Sequence, residues 1–224
     1  GDASWGKVVL NALKALLSLA KMQPKVFHPH WALLLPGDQL RQRTLLTLVL
    51  GDPNPKVRSA AAAVLQALVQ RSKAYMAAAE DRRGQGQRPA NFTSLSQSLA
   101  TMLSATHRGL CDAAALETSA LASQQVIKAL LALVIHAPYN RLRRGLLAEV
   151  VASMRSILSR DRERADPTVR TAALGCLASV LENPLTVPEL HILPPRGSGE
   201  KILPPRGSGA PPPHAAPHAA DRGA

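Results

Sequence analysis

The chain has 224 residues, enough for one domain of ordinary size or for an array of smaller repeated units. Hydrophobic residues make up 46% of it but aromatic residues only 3%, so we expect a core built mainly from alanine and leucine. No run of alternating β-branched residues bounded by turn signals is present, which argues against a sheet and favours an all-α fold. The net charge of +12 is typical of a basic protein whose arginines lie on solvated helix faces. The alternative interpretation is an acidic partner, protein or nucleic acid, although the scarcity of aromatic residues counts against nucleic acid.

The cysteines and the apolar runs predict the cellular compartment of the protein. Cys111 and Cys176 lie in apolar helical patterns, which is typical of buried free thiols in a reducing compartment. No secretory signal is recognisable, and the longest apolar run, Ala129–Ile135, is too short to cross a bilayer. We therefore expect an intracellular protein, cytoplasmic or nuclear, with no membrane contact.

The first three helices follow from apolar spacing and from proline and glycine. The first is predicted over Asp2–Met22, before Pro24, and the second over Asp38–Leu50, closed by Gly51. The third begins at Pro55, since proline suits the first helical position and Asn54 can cap the free N–H groups. Its apolar positions form one continuous stripe, namely Val57, Ala61, Val64 and Leu68.

Four more helices are predicted after a polar loop at Glu80–Pro89. The first three of them cover about Asn91–Leu110, Thr118–His136 and Tyr139–Ser159. The last begins at Pro167 and is capped by Asp166. Its apolar positions are Val169, Ala173, Cys176 and Val180.

The two proline-initiated helices indicate a repeat. "NPKVRSAAAAVLQALV" and "DPTVRTAALGCLASVL" have the same apolar offsets, and Val57 and Val169 stand 112 residues apart, about three units of 37 residues. We therefore expect a short α-solenoid of antiparallel helix pairs over residues 2–183, with about four units of which the first is incomplete. A plain helical bundle is the alternative. Residues 184–224, rich in proline, glycine and histidine, are predicted to be a disordered tail.

Three stretches resemble HEAT-repeat proteins of the armadillo-type helical family. "DPNPKVRSAA" resembles the Asp-Pro-x-x-x-Val-Arg motif of that family, and "DPTVRTAA" is a shortened version. "SQQVIKALLALVIHAPYNRLRRGLLAEVVASM", followed by the second proline-initiated helix, is also similar to proteins of this kind. The resemblance implies a helical array with no known catalytic centre. It also implies a ladder between units from the turn aspartate and the arginine six residues on, a spacing that Asp52 and Arg58 match but Asp166 and Arg170, four apart, do not.

No motif for catalysis, cofactor binding or metal binding is found. His28 and His30 have a ligand-like look in "FHPHW", but no Cys or carboxylate follows at a metal-ligand spacing. No phosphate-binding glycine loop, nucleophile elbow or carboxylate pair is present. We therefore expect a protein that is not an enzyme and needs no cofactor, metal or small-molecule substrate.

The functional hypothesis is a scaffold that binds a protein partner, with acidic partners favoured. The candidate surface is a set of arginines on loops and helix starts: Arg82, Arg83, Arg141, Arg143 and Arg144. Two alternatives remain open at this point. One is binding of nucleic acid or another polyanion through the same arginines, and the other is a non-functional fragment of a larger repeat protein.

Overall fold

The structure, a computed structural model, describes residues 2–36, 44–81, 94–159 and 166–183. The chain divides into Gly1–Leu193 and Pro194–Ala224, and all described residues lie in the first unit. The predicted tail at residues 184–224 lies outside the described residues, as do Arg82 and Arg83.

The described residues form nine α-helices and two 3-10 helices, with no strand among them, so the expected all-α class is confirmed. The 3-10 helices are Pro24–His30 and Tyr139–Arg141. The α-helices are α1 (Asp2–Met22), α2 (Trp31–Leu34), α3 (Leu45–Gly51), α4 (Pro55–Arg71), α5 (Lys73–Met76), α6 (Leu95–Leu116), α7 (Ala120–His136), α8 (Leu146–Ser159) and α9 (Pro167–Leu181).

The longer helices pack in two layers. In the first layer, α4 packs between α1 and α7, and α7 packs between α4 and α9. In the second layer, α6 contacts α3 on one side and α8 on the other. The layers are joined pairwise, since α3 packs on α4, α6 on α7 and α8 on α9. Three-residue connections after α3 and α6 make the helices of those pairs neighbours that run in opposite directions.

Local chemistry fixes the helix starts. Pro55 and Pro167 open α4 and α9 as predicted, and each follows a residue whose side chain caps the helix. Thr44 caps α3 in a reciprocal pair with Thr47, in which each side chain accepts the other's backbone N–H. The described part of the second predicted helix therefore begins at Leu45, and its predicted start, residues 38–43, lies outside the described residues.

Two boundaries and the repeat spacing differ from the predictions. The helix predicted from Tyr139 begins at Leu146, because Leu142 is extended and Gly145 has a φ of 89°, which an L side chain rarely adopts. The helix predicted over Asn91–Leu110 instead spans Leu95–Leu116. Among the described residues, α7 alone lies between α4 and α9 in the first layer, so two helix-to-helix contacts span the 112 residues from Val57 to Val169, where the spacing predicted three units.

The core lies between the layers and uses the predicted stripes. Val57, Ala61, Val64 and Leu68 of α4 are fully buried, and the four equivalent positions of α9 are at most 8% exposed. The fit is close where α6 crosses α3, because a Cβ on Gly109 would lie 2.9 Å from Cγ and Cδ1 of Leu46. Small residues thus set the separation of the helices, as is usual in alanine-rich cores.

Candidate functional site

The clearest polar contact between helix pairs is an ion pair of Arg58 with Glu117. Arg58 begins the second turn of α4, and Glu117 lies in the turn between α6 and α7. Nε of Arg58 donates to Oε2 of Glu117 at 2.7 Å, and the second N–H donates to Oε1 at 2.8 Å. The Glu117 side chain is 4% exposed. A two-point contact of this kind fixes orientation as well as charge, so it links the α3–α4 pair to the α6–α7 pair.

The surroundings of Glu117 favour its charged form. Burial raises the pKa of this carboxyl, but hydrogen bonds from Arg58 and from the backbone N–H groups of Ser119 and Thr118 outweigh burial and hold the pKa below its usual value. The Glu117 hydrogen bond raises the pKa of Arg58 in turn. Both groups are therefore ionised at neutral pH and serve a structural link.

The aspartate–arginine ladder takes a different form from the one that the resemblance implied. Arg58 reaches Asp52 through the backbone, donating to its carbonyl oxygen at 2.7 Å, while its carboxylate partner is Glu117. The Asp52 carboxylate instead accepts the backbone N–H of Asn54 at 2.8 Å. The reason is local, because the Asp52 carboxylate folds back onto its own turn and leaves Arg58 directed at the next helix pair.

The predicted capping residues occupy their expected places. Oδ1 of Asn54 accepts the N–H of Lys56, and Oδ1 of Asp166 accepts both the N–H and the hydroxyl of Thr168. Hydrogen bonds from Thr168 lower the pKa of Asp166. Arg170 stands three residues after Pro167, as Arg58 stands three residues after Pro55. These residues define the starts of α4 and α9.

The described arginines of the predicted acidic-partner surface lie close in the chain but differ in their contacts. Arg141 donates to the carbonyl oxygen of Ala77, and Arg143 pairs with Glu149 at 2.9 Å. Arg144 is exposed, with no ion pair to it among the described residues. A carboxylate already neutralises one of the three charges, so this surface is less basic than the sequence suggests.

A second set of basic residues, which the sequence analysis did not single out, lies on helices of the first layer. We call it the lysine face; its members are Lys7, Lys14 and Lys21 of α1, Lys56 of α4 and Lys128 of α7. The α1 lysines are exposed and recur every seven residues, so they lie on one side of that helix. The helices α4, α7 and α9 contain no Asp or Glu, and α1 has only Asp2 at its start. The seven-residue spacing of the α1 lysines is visible in the sequence and could have indicated this set.

Amide and hydroxyl groups surround Lys128 on this layer. An open groove of about 380 Å³ between α7 and α9 is lined by Gln124, Lys128, Thr168, Thr171, Pro167 and Ala172. Across the neighbouring helix contact, the Gln125 amide N–H donates to Oε1 of Gln66 at 2.6 Å. This surface offers cations and hydrogen-bonding groups without a competing carboxylate on the helix bodies.

His107 of α6 is a buried polar residue that no sequence pattern indicated. It is 1% exposed, and its ring nitrogens lie 3.0 Å from the Tyr139 hydroxyl and 2.9 Å from the Leu146 carbonyl oxygen. A carbonyl can only accept, so Nε2 carries the proton and Nδ1 accepts from Tyr139. Burial lowers the pKa of His107 to about 4. Cys111, one turn later, is also buried, and burial raises the pKa of its thiol.

The described residues hold no cluster of three or more His, Cys, Asp or Glu side chains that could bind a metal ion. Both cysteines are buried free thiols, as predicted. His28 stacks on Tyr75 with ring centroids 4.1 Å apart, and its Nε2 lies 3.0 Å from the Ser72 hydroxyl. Within the described ranges, every helix is too short or too polar to cross a membrane.

The comparisons with known proteins concern this helical region. The sequence model of a family described as a domain of unknown function (DUF4042) matches residues 7–190. The chain is also similar to an uncharacterized protein of Dictyostelium discoideum, with 24% identity over 220 residues that cover 82% of this chain and 14% of that protein. This chain thus spans a small part of its relative's length. No solved structure matches it.

Proposed function

The chain belongs to the DUF4042 family, and we propose that it is a non-enzymatic scaffold, a short α-solenoid of the HEAT type that binds an acidic segment of a protein partner on its lysine face. The packing order supports the solenoid, because three helix pairs follow one another and α1 adds the helix of an incomplete fourth unit. The Arg58–Glu117 pair further supports it, since this contact joins one pair to the next.

The binding proposal rests on the positive charge of the first layer, which no carboxylate on the helix bodies offsets. Five lysines lie along α1, α4 and α7, while the bodies of these helices and of α9 contain no carboxylate. An acidic segment laid across the layer would meet cations at one end and the groove with Lys128 at the other. Electrostatic complementarity of this kind acts on association rate and on partner choice. A repeat surface of several helices offers the length that an extended segment needs.

The test compares two charge reversals of equal size. One variant carries Lys7→Glu, Lys14→Glu and Lys21→Glu, and the matched control carries Arg141→Glu, Arg143→Glu and Arg144→Glu, the arginines that the sequence favoured. A fluorescein-labelled decaglutamate peptide is titrated against each variant and the full chain, and anisotropy is followed at two salt concentrations. We expect the lysine variant to lose about tenfold in affinity and the arginine variant less than twofold.

The opposite ranking would move the site to the arginines and refute the lysine face. Nucleic-acid binding is tested in the same assay with a random-sequence labelled duplex. If the duplex binds with a steep salt dependence while decaglutamate does not bind, the protein binds the phosphate backbone of nucleic acid, and the acidic-segment proposal is wrong. If neither probe binds at low salt, the one-signed charge of the layer does not create a binding surface.

A further inference from the structure

A notch opens between the turn that joins α3 to α4 and the turn that joins α6 to α7. Its volume is about 160 Å³, and it is lined by the ends of α3 and α6 and by the two turns. We call it the turn notch. Residues 37–43 and 82–93, outside the described residues, join α3 and α6 at the other ends of these helices. The turn notch therefore lies between two described helix pairs, inside the array.

Two exposed leucines flank the turn notch. Leu50, near the end of α3, is 44% exposed, and Leu116, the last residue of α6, is 75% exposed. Both side chains belong to the lining of the cavity. An isolated exposed leucine is common on a protein surface, whereas two leucines beside one cavity form an apolar surface that can pack against a bound group.

The charge at the turn notch is opposite in sign to that of the whole chain. Of the lining residues, Asp52 and Glu117 are acidic and Arg58 is basic. Arg58 pairs with Glu117, and none of the described cations forms an ion pair with the half-buried Asp52. The notch thus holds one carboxylate that no ion pair neutralises, although the chain has a net charge of +12. The complement of this surface is a cation beside apolar groups.

The volume of the turn notch decides between a small molecule and a side chain of a larger partner. Pockets that enclose a small molecule measure about 300 to 1,000 Å³. A cavity of about 150 Å³ accepts a group of the size of benzene. At about 160 Å³, the turn notch therefore suits one side chain, and the rest of the contact must lie on the leucines beside it.

We propose that the turn notch binds an exposed segment of a partner protein in which one basic residue lies between two leucine-like residues. The basic side chain enters the notch beside Asp52, and the apolar side chains pack on Leu50 and Leu116. The Arg58–Glu117 ion pair holds the two walls together, so the notch is formed before the partner binds. This site goes beyond the proposed function, because it takes a basic segment whereas the lysine face takes an acidic one.

The experiment uses the full chain and a fluorescein-labelled peptide with the sequence Gly-Ser-Leu-Arg-Leu-Ser-Gly. In one control peptide serine replaces the arginine, and in the other serine replaces both leucines. Anisotropy is followed at about 0.15 M salt, where distant lysines are screened from the peptide. The backbone amide shifts of Gly51 and Thr118 locate the site, since both residues line the notch. We expect the first peptide to shift both amides and to bind about fivefold more tightly than either control.

Two pairs of variants test the site. Leu116→Ser removes an apolar wall, and Leu95→Ser is its control, because Leu95 is 63% exposed at the other end of α6. Asp52→Asn removes the charge but keeps an oxygen that can accept the N–H of Asn54, and Asp112→Asn, at an exposed position of α6, is its control. We expect Leu116→Ser to weaken peptide binding about fivefold, Asp52→Asn about threefold and each control less than about 1.5-fold, with unchanged helical circular dichroism.

Several outcomes would overturn the proposal. Equal binding of the peptide without arginine would show that charge does not select the partner. Equal binding by the Leu116→Ser and Leu95→Ser variants, or unshifted amides of Gly51 and Thr118, would place the peptide elsewhere. A dimer of the chain in sedimentation that Leu116→Ser dissociates would assign the notch to a second copy.

The turn notch and the lysine face fail separately in this design. The triple lysine variant should bind the basic peptide within about twofold of the unaltered chain, because like charges do not hold it on the lysine face. A larger loss would place the peptide on that face and refute the notch. Loss of decaglutamate binding with intact binding of the basic peptide would count against neither the notch nor its partner.

Discussion

The buried His107 makes the stability of this protein depend on pH in a way that can be measured. The ring is 1% exposed, donates from Nε2 to the Leu146 carbonyl oxygen and accepts from the Tyr139 hydroxyl at Nδ1. Protonation would place a charge in the core and turn Nδ1 into a donor. Burial therefore lowers the pKa of His107 to about 4, from 6.5 for an exposed histidine.

The sign of the effect follows from proton binding. Between pH 6.5 and pH 4 the unfolded chain carries a proton on this ring and the folded chain does not, so stability falls as the pH falls. Each pH unit in that window costs about 1.4 kcal/mol, which gives a loss of about 3 kcal/mol over the whole window. The contribution is fully present above pH 6.5 and is lost by pH 4.

The assay is urea unfolding followed by circular dichroism at several pH values between 7.5 and 4. The variant His107→Gln removes the titrating group, and we expect the stability difference between the unaltered chain and this variant to shrink by about 3 kcal/mol from pH 7 to pH 4. Thr106→Val is the control, because Thr106 is also fully buried but does not titrate. If the His107→Gln variant shows the same pH dependence as Thr106→Val, His107 is not a buried neutral ring and the reasoning is wrong.

Two further predictions concern the packing between helices and are checked by the same urea unfolding at pH 7. Arg58→Ala and Glu117→Ala should each cost about 2 to 3 kcal/mol, because each leaves the other charge in a largely buried place. The double variant should cost much less than the sum, and additive losses would show that the two side chains do not act as a pair. Gly109→Ala should destabilise by about 1 kcal/mol or more, since crowding against Leu46 exceeds the gain in helix propensity. Gly175→Ala on α9 has open space around the new Cβ and should stabilise by roughly 0.5 to 1 kcal/mol, so a loss there would contradict the reasoning.

Helix starts were the most predictable feature because their causes are local. Pro55 with Asn54, and Pro167 with Asp166, lie next to each other in the chain, and the structure places both pairs as the sequence indicated. The buried stripes followed from the same registers, since Val57 and Val169 fix where each apolar side lies. The start of α8 was misplaced because an extended Leu142 and the left-handed Gly145 are not distinguishable by apolar spacing from a helical turn.

Contacts between distant segments were not predictable from spacing. His107, Tyr139 and Leu146 meet only after α6 and α8 have packed together. Gln66 and Gln125 are 59 residues apart and meet only where α4 crosses α7. The lysine face is an intermediate case, because the interval of Lys7, Lys14 and Lys21 is readable in the sequence, but the absence of carboxylates on neighbouring helices matters only once those helices are known to be neighbours.

The turn before α7 carries the Arg58–Glu117 ion pair, which links the α3–α4 pair to the α6–α7 pair. It does so although the Asp-Pro-x-x-x-Val-Arg motif is incomplete in this turn. Glu117 stands three residues before Ala120, the first residue of α7, just as Asp52 stands three residues before Pro55. The same turn position therefore carries a carboxylate in both pairs, and the Glu117 carboxylate accepts two hydrogen bonds from Arg58. At the position of Arg58, α7 has Ser123 and α9 has Arg170. The Glu117 carboxylate thus receives an arginine from the preceding helix pair, so this link depends on the register of the helix starts and not on a ladder within a single turn.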